Sequence, residues 1–369
     1  MLKKIIYITD LSLPSNKAQA IHVFKMIDNF LSFMDEAMLV FPNLNKHLKI
    51  TSIKDYFNLH TKKKIIFEPI FKKYKLFNSV SRFIFGLKVA NKLRGEKSLI
   101  ISRSLIASFF LTIFKIKHFV EIHQELKGLT KFLFINLKFI NSKQIIKVIF
   151  ISKGLSDFYQ LNDEKYVILN DGCDLRDFKF NRVTKKKIKN IYYLGSFYKG
   201  RGVEIIKKLA SLSPKYNFNL YGLRDEKIRS FKNFKVFPIA SYKKTLKLII
   251  KADLLLMPYQ SKISINSVNF KDDISKFISP LKMFEYLASG IPIISSDLKV
   301  LREKLINRRN SILIKNYSNP LAWKRAINEL SDNFYLRQKI SKNSILTAQK
   351  NTWAQRTKKI YKIYSEINA

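Results

Sequence analysis

Residues 190–209, NIYYLGSFYKGRGVEIIKKL, decide the fold. The first five residues are mostly β-branched, aromatic or aliphatic and have the length of a strand. A turn with three glycines follows, and the last seven residues carry apolar side chains at helical spacing. A strand, a glycine turn and a helix in this order form the first part of a βαβ unit. The stretch therefore predicts a parallel sheet covered by helices.

The same alternation of short apolar runs and amphipathic segments extends in both directions. A first series of strands is predicted at residues 4–9, 37–41, 99–102, 118–122, 148–152 and 166–169, and a second at residues 190–194, 218–221, 234–237, 253–257 and 291–295. The basic stretch 181–189 between them has turn character and no apolar period. We therefore predict an α/β protein with two Rossmann-like, doubly wound domains, residues 1–180 and 185–350, facing each other across a cleft. Residues 351–369 are predicted to form a C-terminal helix.

Composition narrows the class of protein. The 369 residues include 69 Lys and Arg against 27 Asp and Glu, a formal net charge of +42. Three explanations stay open: nucleic-acid binding, attraction to an anionic membrane surface, and an AT-rich genome that enriches Lys, Asn, Ile and Phe. The lone Cys173 cannot form an internal disulfide, which favours a reducing compartment. No apolar run approaches the ~20 residues of a membrane-spanning helix, so we expect a cytoplasmic protein.

The glycine turn has the features of a phosphate-binding loop. Gly195, Gly200 and Gly202 let the backbone approach a ligand, and the following helix presents free N–H groups at its N-terminus. Lys199 and Arg201 add positive charge within the turn. The alternative is an ordinary strand-to-helix turn with solvated cations. The turn lacks the spacing of a P-loop and of GxGxxG, so neither an NTPase nor a dinucleotide enzyme is indicated.

A second motif, SPLKMFEYLASGIPIISSD, covers residues 279–297. Ser279 is predicted to cap a helix that has Pro280 in its first turn and ends at Gly290. Glu285 is a lone acid on this otherwise apolar helix. A carboxylate accepts two hydrogen bonds, so a pair of ribose hydroxyls suits it as a ligand, while a solvent-facing Glu is the alternative.

The two motifs, about 80 residues apart, resemble the C-terminal domain of the family 4 retaining glycosyltransferases, which have the GT-B fold. Matching by position places Arg201 on the basic residue that holds the donor diphosphate. Glu285 matches the second acid of the Glu-x7-Glu motif, and residues 290–292 match the Gly-x-Pro that follows it. The resemblance implies a donor-binding set of Gly195, Ser196, Gly200, Arg201, Gly202, Ser279, Leu281, Lys282 and Glu285. It also implies that the helix at residues 351–369 packs back on the first domain.

The chain departs from the family pattern at two positions. Phe277 stands where the first Glu of the pair belongs, and Ser196 stands where the turn usually has a basic residue. Lys282 or Ser279 are candidates to replace the missing donor contacts. Asp272 and Asp273 are candidates for the missing carboxylate, and solvated loop acids are the alternative.

The first domain contributes two histidines to the predicted site. His123 ends the strand at residues 118–122, where its side chain is expected to point toward the ligand crevice or to be a surface or capping residue. The resemblance places a His there, near the donor sugar. His22, with Asn16 and Lys17 before it, follows a loop that in the family covers the cleft. These three residues are predicted to lie on the acceptor side.

The predicted activity is metal-independent transfer of a hexose-type sugar from a UDP- or GDP-linked donor to a cell-envelope glycan or lipid-linked acceptor. No Asp-x-Asp, HExxH or CxxC motif is present, so we expect no metal and no cofactor besides the donor substrate. His123, Arg201 and Lys199 are the predicted catalytic residues. Binding at the inner face of the cell membrane is expected, and no specific nucleic acid. The alternatives are a non-catalytic nucleotide-binding member of the fold, an epimerase of the same fold, and a basic nucleic-acid-binding protein.

Overall fold

A computed structural model describes residues 3–13, 15, 17–44, 53–71, 78–178, 187–222, 228–265 and 273–368. The chain divides into two compact units. Unit 1 comprises residues 1–170 and 353–369, and unit 2 comprises residues 171–352. Unit 1 is thus completed by the last helix of the chain.

Unit 1 is built on a parallel sheet of seven strands in the order β3-β2-β1-β4-β5-β6-β7. The strands are β1 (Lys4–Ile8), β2 (Glu36–Phe41), β3 (Ile65–Pro69), β4 (Leu99–Ser102), β5 (His118–Ile122), β6 (Ile145–Phe150) and β7 (Tyr166–Ile168). The helices are α1 (Ala18–Phe30), α2 (Ile53–Tyr56), α3 (Ser79–Lys92), α4 (Leu105–Ile113), α5 (Gly128–Lys131), α6 (Lys153–Tyr159) and, after unit 2, a long C-terminal helix (Trp353–Asn368). Every residue of β4 and β5 is buried, as are Ile5–Ile8 of β1, as expected for central strands with both faces covered.

Unit 2 is built on a parallel sheet of six strands in the order β10-β9-β8-β11-β12-β13. The strands are β8 (Asn190–Leu194), β9 (Asn217–Gly222), β10 (Phe234–Pro238), β11 (Leu254–Met257), β12 (Ile293–Ser296) and β13 (Ile312–Ile314). The helices of unit 2 are α7 (Val203–Ser211), α8 (Tyr242–Ile249), α9 (Leu281–Ser289), α10 (Pro320–Asp332) and α11 (Phe334–Gln349). The C-terminal helix, which belongs to unit 1, is α12. In the core of unit 2, Trp323 packs with the apolar faces of β8, β9 and α7.

Both sheets confirm the predicted doubly wound α/β class. All eleven predicted strands are present, but two further strands, β3 and β13, were not predicted. Each of the two lies at the edge of its sheet. The predicted range 148–152 was wrong for β6, because that strand starts at Ile145, and Ser152 accepts a hydrogen bond from the Leu155 N–H as the cap of α6.

The chain passes from unit 1 to unit 2 between Asn170 and Asp171, ahead of the expected boundary at residues 180–185. The Asp171 N–H donates to Ser279 Oγ at 3.1 Å, and the Cys173 N–H donates to the carbonyl of Asn351 at 3.1 Å. These contacts attach the segment to unit 2. Residues 179–186 lie outside the described part of the chain.

None of the helices within the described ranges is both long and apolar enough to cross a membrane.

Candidate functional site

The glycine turn after β8 packs tightly against the loop after β11. Gly200 and Gly202 have φ of +82° and +80°, in the left-handed region that favours glycine. A Cβ on Gly200 would lie 1.9 Å from the carbonyl oxygen of Lys262, and a Cβ on Gly202 would lie 1.9 Å from that of Pro258. Backbone atoms therefore occupy the space that any side chain at these two positions would need.

This contact lies where the strand order of the second sheet reverses. Strands β8 and β11 are neighbours, and the chain leaves them toward opposite sides of the sheet. The Gln260 N–H donates to the Gly200 carbonyl at 2.9 Å, and the Ser264 N–H donates to the Lys199 carbonyl at 3.1 Å. Ligands of doubly wound sheets bind at this switch point, beyond the carboxyl ends of the strands. The two loops thus form the expected place for a ligand of unit 2.

Lys282, on the first turn of α9, brings a buried ammonium group to these loops. Its Nζ lies 3.9 Å from the centre of the Tyr193 ring and 5.5 Å from that of Tyr259. A Cβ on Gly195 would lie 2.5 Å from this nitrogen, so the glycine makes room for it. The nitrogen has no hydrogen-bond partner in the described part of the chain.

Burial and the nearby Arg201 guanidinium hold the pKa of Lys282 well below its usual range, although Glu285 acts in the opposite direction. Arg201 Nη2 donates to the carbonyl of Ser264 at 3.3 Å, and its guanidinium lies 5.4 Å from the Tyr259 ring centre. Its buried Nε has no hydrogen-bond partner among the described residues. Two neighbouring cationic groups thus keep unused N–H donors in a buried place, an arrangement that an anionic ligand would compensate.

Glu285 follows Lys282 by one helical turn and is buried. The Tyr242 hydroxyl hydrogen-bonds to it, and burial together with the charge of Glu285 raises the pKa of Tyr242 well above its usual value. Gly290 ends the helix with φ of +67°, as predicted. The predicted cap was wrong: Pro280 occupies the N-cap position with extended backbone, and Ser279 Oγ instead accepts the N–H of Asp171.

The remaining donor-side predictions differ in their surroundings. Lys199 is exposed on the turn, and Leu281 is half-buried at the start of α9. The Ser196 carbonyl accepts a hydrogen bond from the Tyr193 hydroxyl at 2.8 Å. Phe277 is buried. Asp272 lies outside the described residues.

Asp273 is occupied within its own loop. Its carboxylate accepts the N–H groups of Ile263 at 3.0 Å and Ser275 at 2.9 Å. Burial opposes the charged form, but these hydrogen bonds outweigh it and lower the pKa of Asp273. The residue therefore has a structural role in shaping the loop after β11.

A second cluster of charged side chains lies in unit 1 around Glu121 of β5, which is only 2% exposed. The Arg356 guanidinium of α12 donates to its Oε1, and the Tyr7 hydroxyl of β1 donates to its Oε2. His22 Nε2 and His123 Nε2 lie 3.0 Å and 3.2 Å from Oε1. Burial opposes ionisation of Glu121, but His22, Arg356 and His123 outweigh it and hold its pKa well below the usual range.

The cluster brings the two predicted histidines together. Their ring centres are 4.8 Å apart and nearly perpendicular, and His22 also contacts the Trp353 ring edge-on. Burial and the charge of Arg103 lower the pKa of His123 to about 3, although Glu121 acts in the opposite direction. His123 is therefore neutral near pH 7 and available as a hydrogen-bonding group.

The ligand atoms of His22, Glu121 and His123 all lie within 4.8 Å of one another, close enough to bind one metal ion. The Arg356 guanidinium contacts the same Glu121 oxygen and already supplies a compensating positive charge. Lys17 is exposed before α1 and does not belong to the cluster. Asn16 lies outside the described residues, so the acceptor-side assignment stays a prediction.

Glu121 and Gly222 are among the residues near the candidate site that sequence analysis did not identify. Glu121 is an acid inside an apolar strand, a pattern that signals a buried partner, but that partner lies 235 residues further along the chain. Gly222 ends β9, and a Cβ there would lie 2.0 Å from the Gly195 carbonyl oxygen. A glycine closing a strand was the available signal for that close approach.

No protein-family model matches the sequence, and no curated protein matches it significantly. Similarity appears among solved structures. A glycosyltransferase from Rickettsia africae superposes with a TM-score of 0.71 at 13% identity, covering 99% of this chain and 98% of its own. HepE from Anabaena, in complex with UDP and glucose, gives 0.69 at 13% identity over 99% and 100%. WaaG, a glycosyltransferase of lipopolysaccharide biosynthesis, gives 0.63 at 12% identity over 96% and 98%. The chain therefore has the GT-B fold.

Proposed function

We propose that this protein is a retaining glycosyltransferase of the family 4 type, which transfers a sugar from a nucleotide diphosphate sugar to a cell-envelope glycan or lipid-linked acceptor. The pair of buried cationic groups in unit 2 carries the proposal. Lys282 and Arg201 lie beside a glycine turn at the switch point of the sheet, and Lys282 Nζ and Arg201 Nε have no hydrogen-bond partner among the described residues. A diphosphate brings the negative charge and the acceptor oxygens that this arrangement needs.

Unit 2 supplies the groups that stabilise the leaving diphosphate. When the bond between the sugar and the phosphate oxygen breaks, negative charge builds up on that oxygen. Arg201 and Lys282 stabilise it, with Lys199 contributing from the exposed side of the turn, and Glu285 accepts the ribose hydroxyls. Such preorganised charge is most effective in a buried place where water does not screen it.

The sugar then forms its new bond to the acceptor oxygen on the face from which the phosphate left, which preserves the anomeric configuration. The departing phosphate oxygen accepts the proton of the acceptor hydroxyl. His123, neutral near pH 7, binds a hydroxyl of the donor sugar. Glu121 and Arg356 hold the imidazole in place, and no side chain is required as a general base.

Two observations support the envelope acceptor. WaaG, which shares the fold, takes part in lipopolysaccharide biosynthesis, and the net charge of +42 favours an anionic acceptor or surface. UDP and GDP are both candidate leaving groups, and HepE, with the same fold, binds UDP. We place the reaction at the cytoplasmic face of the membrane, where nucleotide sugars are available.

Calorimetric titration with UDP, GDP and ADP at physiological salt tests the donor site. We expect one nucleotide to bind preferentially, and Arg201→Ala to lose this binding because it removes a contact with the diphosphate. Arg309→Ala, at an exposed position of the same unit, is the matched control and should bind as the wild type does. If none of the three nucleotides binds, the proposal is wrong.

The stereochemistry needs a separate measurement. NMR of the product formed from an α-linked donor should show an α-linkage, since retention is proposed. A β-linked product would contradict the retaining mechanism and leave the donor site unaffected.

A further inference from the structure

Helix α3 of unit 1 exposes an apolar stripe to solvent. Val80, Phe83, Ile84 and Leu87 follow the spacing of one helix face and are between 41% and 68% exposed. The opposite face of the helix is buried through Phe85. The helix is therefore apolar on two faces, and only one of them serves the core of unit 1.

A second group of exposed apolar side chains follows β5. Leu129, Phe132 and Leu137 are each 51% to 54% exposed, on α5, on the π-helical turn Phe132–Asn136 and directly after that turn. Ring contacts through α4 connect α3 with Phe139, two residues beyond Leu137. Phe83 packs on Phe110 at 4.6 Å, Phe110 on Phe109 at 5.3 Å, and Phe109 on Phe139 at 4.8 Å between ring centres.

All charged side chains of the two segments are positive. Residues 78–94 contain four Lys or Arg, residues 127–138 contain three Lys, and neither range contains Asp or Glu. The side chains of Arg82, Lys88, Lys131 and Lys138 are exposed beside the apolar groups. A partner of this surface must therefore offer negative charge together with an apolar layer.

We propose that Val80, Phe83, Ile84, Leu87, Leu129, Phe132 and Leu137, the apolar docking surface, bind an anionic lipid membrane. The apolar side chains enter the boundary between headgroups and acyl chains, and the flanking Lys and Arg contact anionic headgroups. Nucleic acid matches the charge but offers no layer that would bury seven exposed apolar side chains. The inference goes beyond the proposed transfer reaction and does not depend on it.

Flotation of the full-length protein with vesicles tests the apolar part. Wild type should float with phosphatidylglycerol-containing vesicles and remain behind with pure phosphatidylcholine, at about 0.15 M salt. Val80→Ser/Leu87→Ser should weaken binding to the anionic vesicles roughly tenfold. Phe83 is kept because it packs on Phe110. Tyr335→Ser/Leu346→Ser removes two exposed apolar side chains from unit 2 and should bind as the wild type does.

Two double variants test the contribution of the positively charged side chains. Lys131→Gln/Lys138→Gln should bind anionic vesicles more weakly than Lys339→Gln/Lys342→Gln, which removes two exposed lysines from unit 2. Equal losses in the two pairs would show that diffuse net charge, not this surface, attracts the membrane, and would overturn the proposal. Failure of the wild type to bind the anionic vesicles would also overturn it. UDP titration of each variant separates these outcomes from failure of the donor site.

Discussion

Each unit buries a cluster of charged side chains, and the two clusters differ in how their charges are balanced. In unit 1, the Glu121 carboxylate receives the Arg356 guanidinium and the Tyr7 hydroxyl. In unit 2, Lys282 and Arg201 have the same sign of charge, and each keeps a buried nitrogen without a hydrogen-bond partner among the described residues.

The difference shows which cluster has its charge balanced by the protein itself and which does not. A buried carboxylate and guanidinium that pair with each other need no ligand, and loss of either partner is costly. Two buried cations side by side repel each other, and an anionic ligand would supply the compensating charge. Opposite consequences of mutation follow for the two clusters.

The largest effect is expected for Glu121→Gln. The change leaves the buried Arg356 without a counter-charge, and loss of one partner of a buried ion pair costs about 3–5 kcal/mol. The free energy of unfolding, measured with urea, should fall by this amount. Glu366→Gln is the matched control, because its carboxylate pairs with Lys362 on the exposed surface of α12, where such pairs contribute about 0–1 kcal/mol. Equal effects of the two substitutions would show that the cluster does not stabilise unit 1.

Arg201→Ala should affect the reaction instead of the fold. Removing one donor that stabilises developing charge costs about 10²- to 10³-fold in rate. Release of UDP from a UDP-sugar should slow by this factor while urea unfolding stays unchanged. Arg201→Lys keeps the charge and should recover part of the rate. An unchanged rate in Arg201→Ala would remove this residue from the catalytic assignment.

Acid should destabilise unit 1 through its buried histidines. His118 donates from Nδ1 to the Ile116 carbonyl and accepts the Ser108 hydroxyl at Nε2, and burial lowers its pKa to about 4 from 6.5. As the pH falls, His118 of the unfolded chain binds a proton before His118 of the folded protein does. The contribution of the neutral His118 to the free energy of unfolding is therefore complete above pH 6.5 and is lost as the pH falls below it. We expect a loss of about 2–3 kcal/mol at pH 4 from this residue. His118→Asn keeps the donor to Ile116 and should flatten the dependence of Tm on pH; an unchanged slope would contradict the assignment.

Lys282→Met should change the stability only slightly, and in the opposite direction to Glu121→Gln. It removes a buried group without a hydrogen-bond partner, so the ligand-free protein should gain about 1 kcal/mol. Nucleotide binding should weaken. In wild type, the diphosphate stabilises the ammonium form of Lys282 and should raise its depressed pKa. Titrations across a range of pH should therefore show proton uptake, seen as a buffer-dependent binding enthalpy, near the pKa of Lys282 in the ligand-free protein. A loss of stability in the variant would mean that the ammonium is already compensated by the protein.

The central strands could be predicted from the sequence, whereas two strands at the edges of the sheets could not. Strands β4, β5 and β8 are apolar runs between clear turns, and their predicted ranges match the structure. β3 is only partly buried along its length, and β13 has three residues. Neither presents the long apolar run or clean alternation on which strand prediction depends.

The candidate site was predictable where the chemistry is local. The glycines of the turn, Arg201 and Lys282 belong to two short motifs, and the structure brings these motifs together. Glu121 and Arg356 meet only through the fold of the whole unit, so nothing near either residue identifies its partner. The cap of α9 was predicted wrongly for the same reason, because Ser279 binds a distant backbone N–H from Asp171.

The position of α12 has a consequence for synthesis. Residues 353–368 leave the ribosome after all of unit 2, although α12 packs on α1 and its Arg356 neutralises Glu121 of β5. Every strand of the second sheet is therefore available for folding before the first unit has its last helix. During translation, the counter-charge of Glu121 is therefore synthesised only after unit 2, so unit 1 should complete its fold after the strands of the second sheet are available.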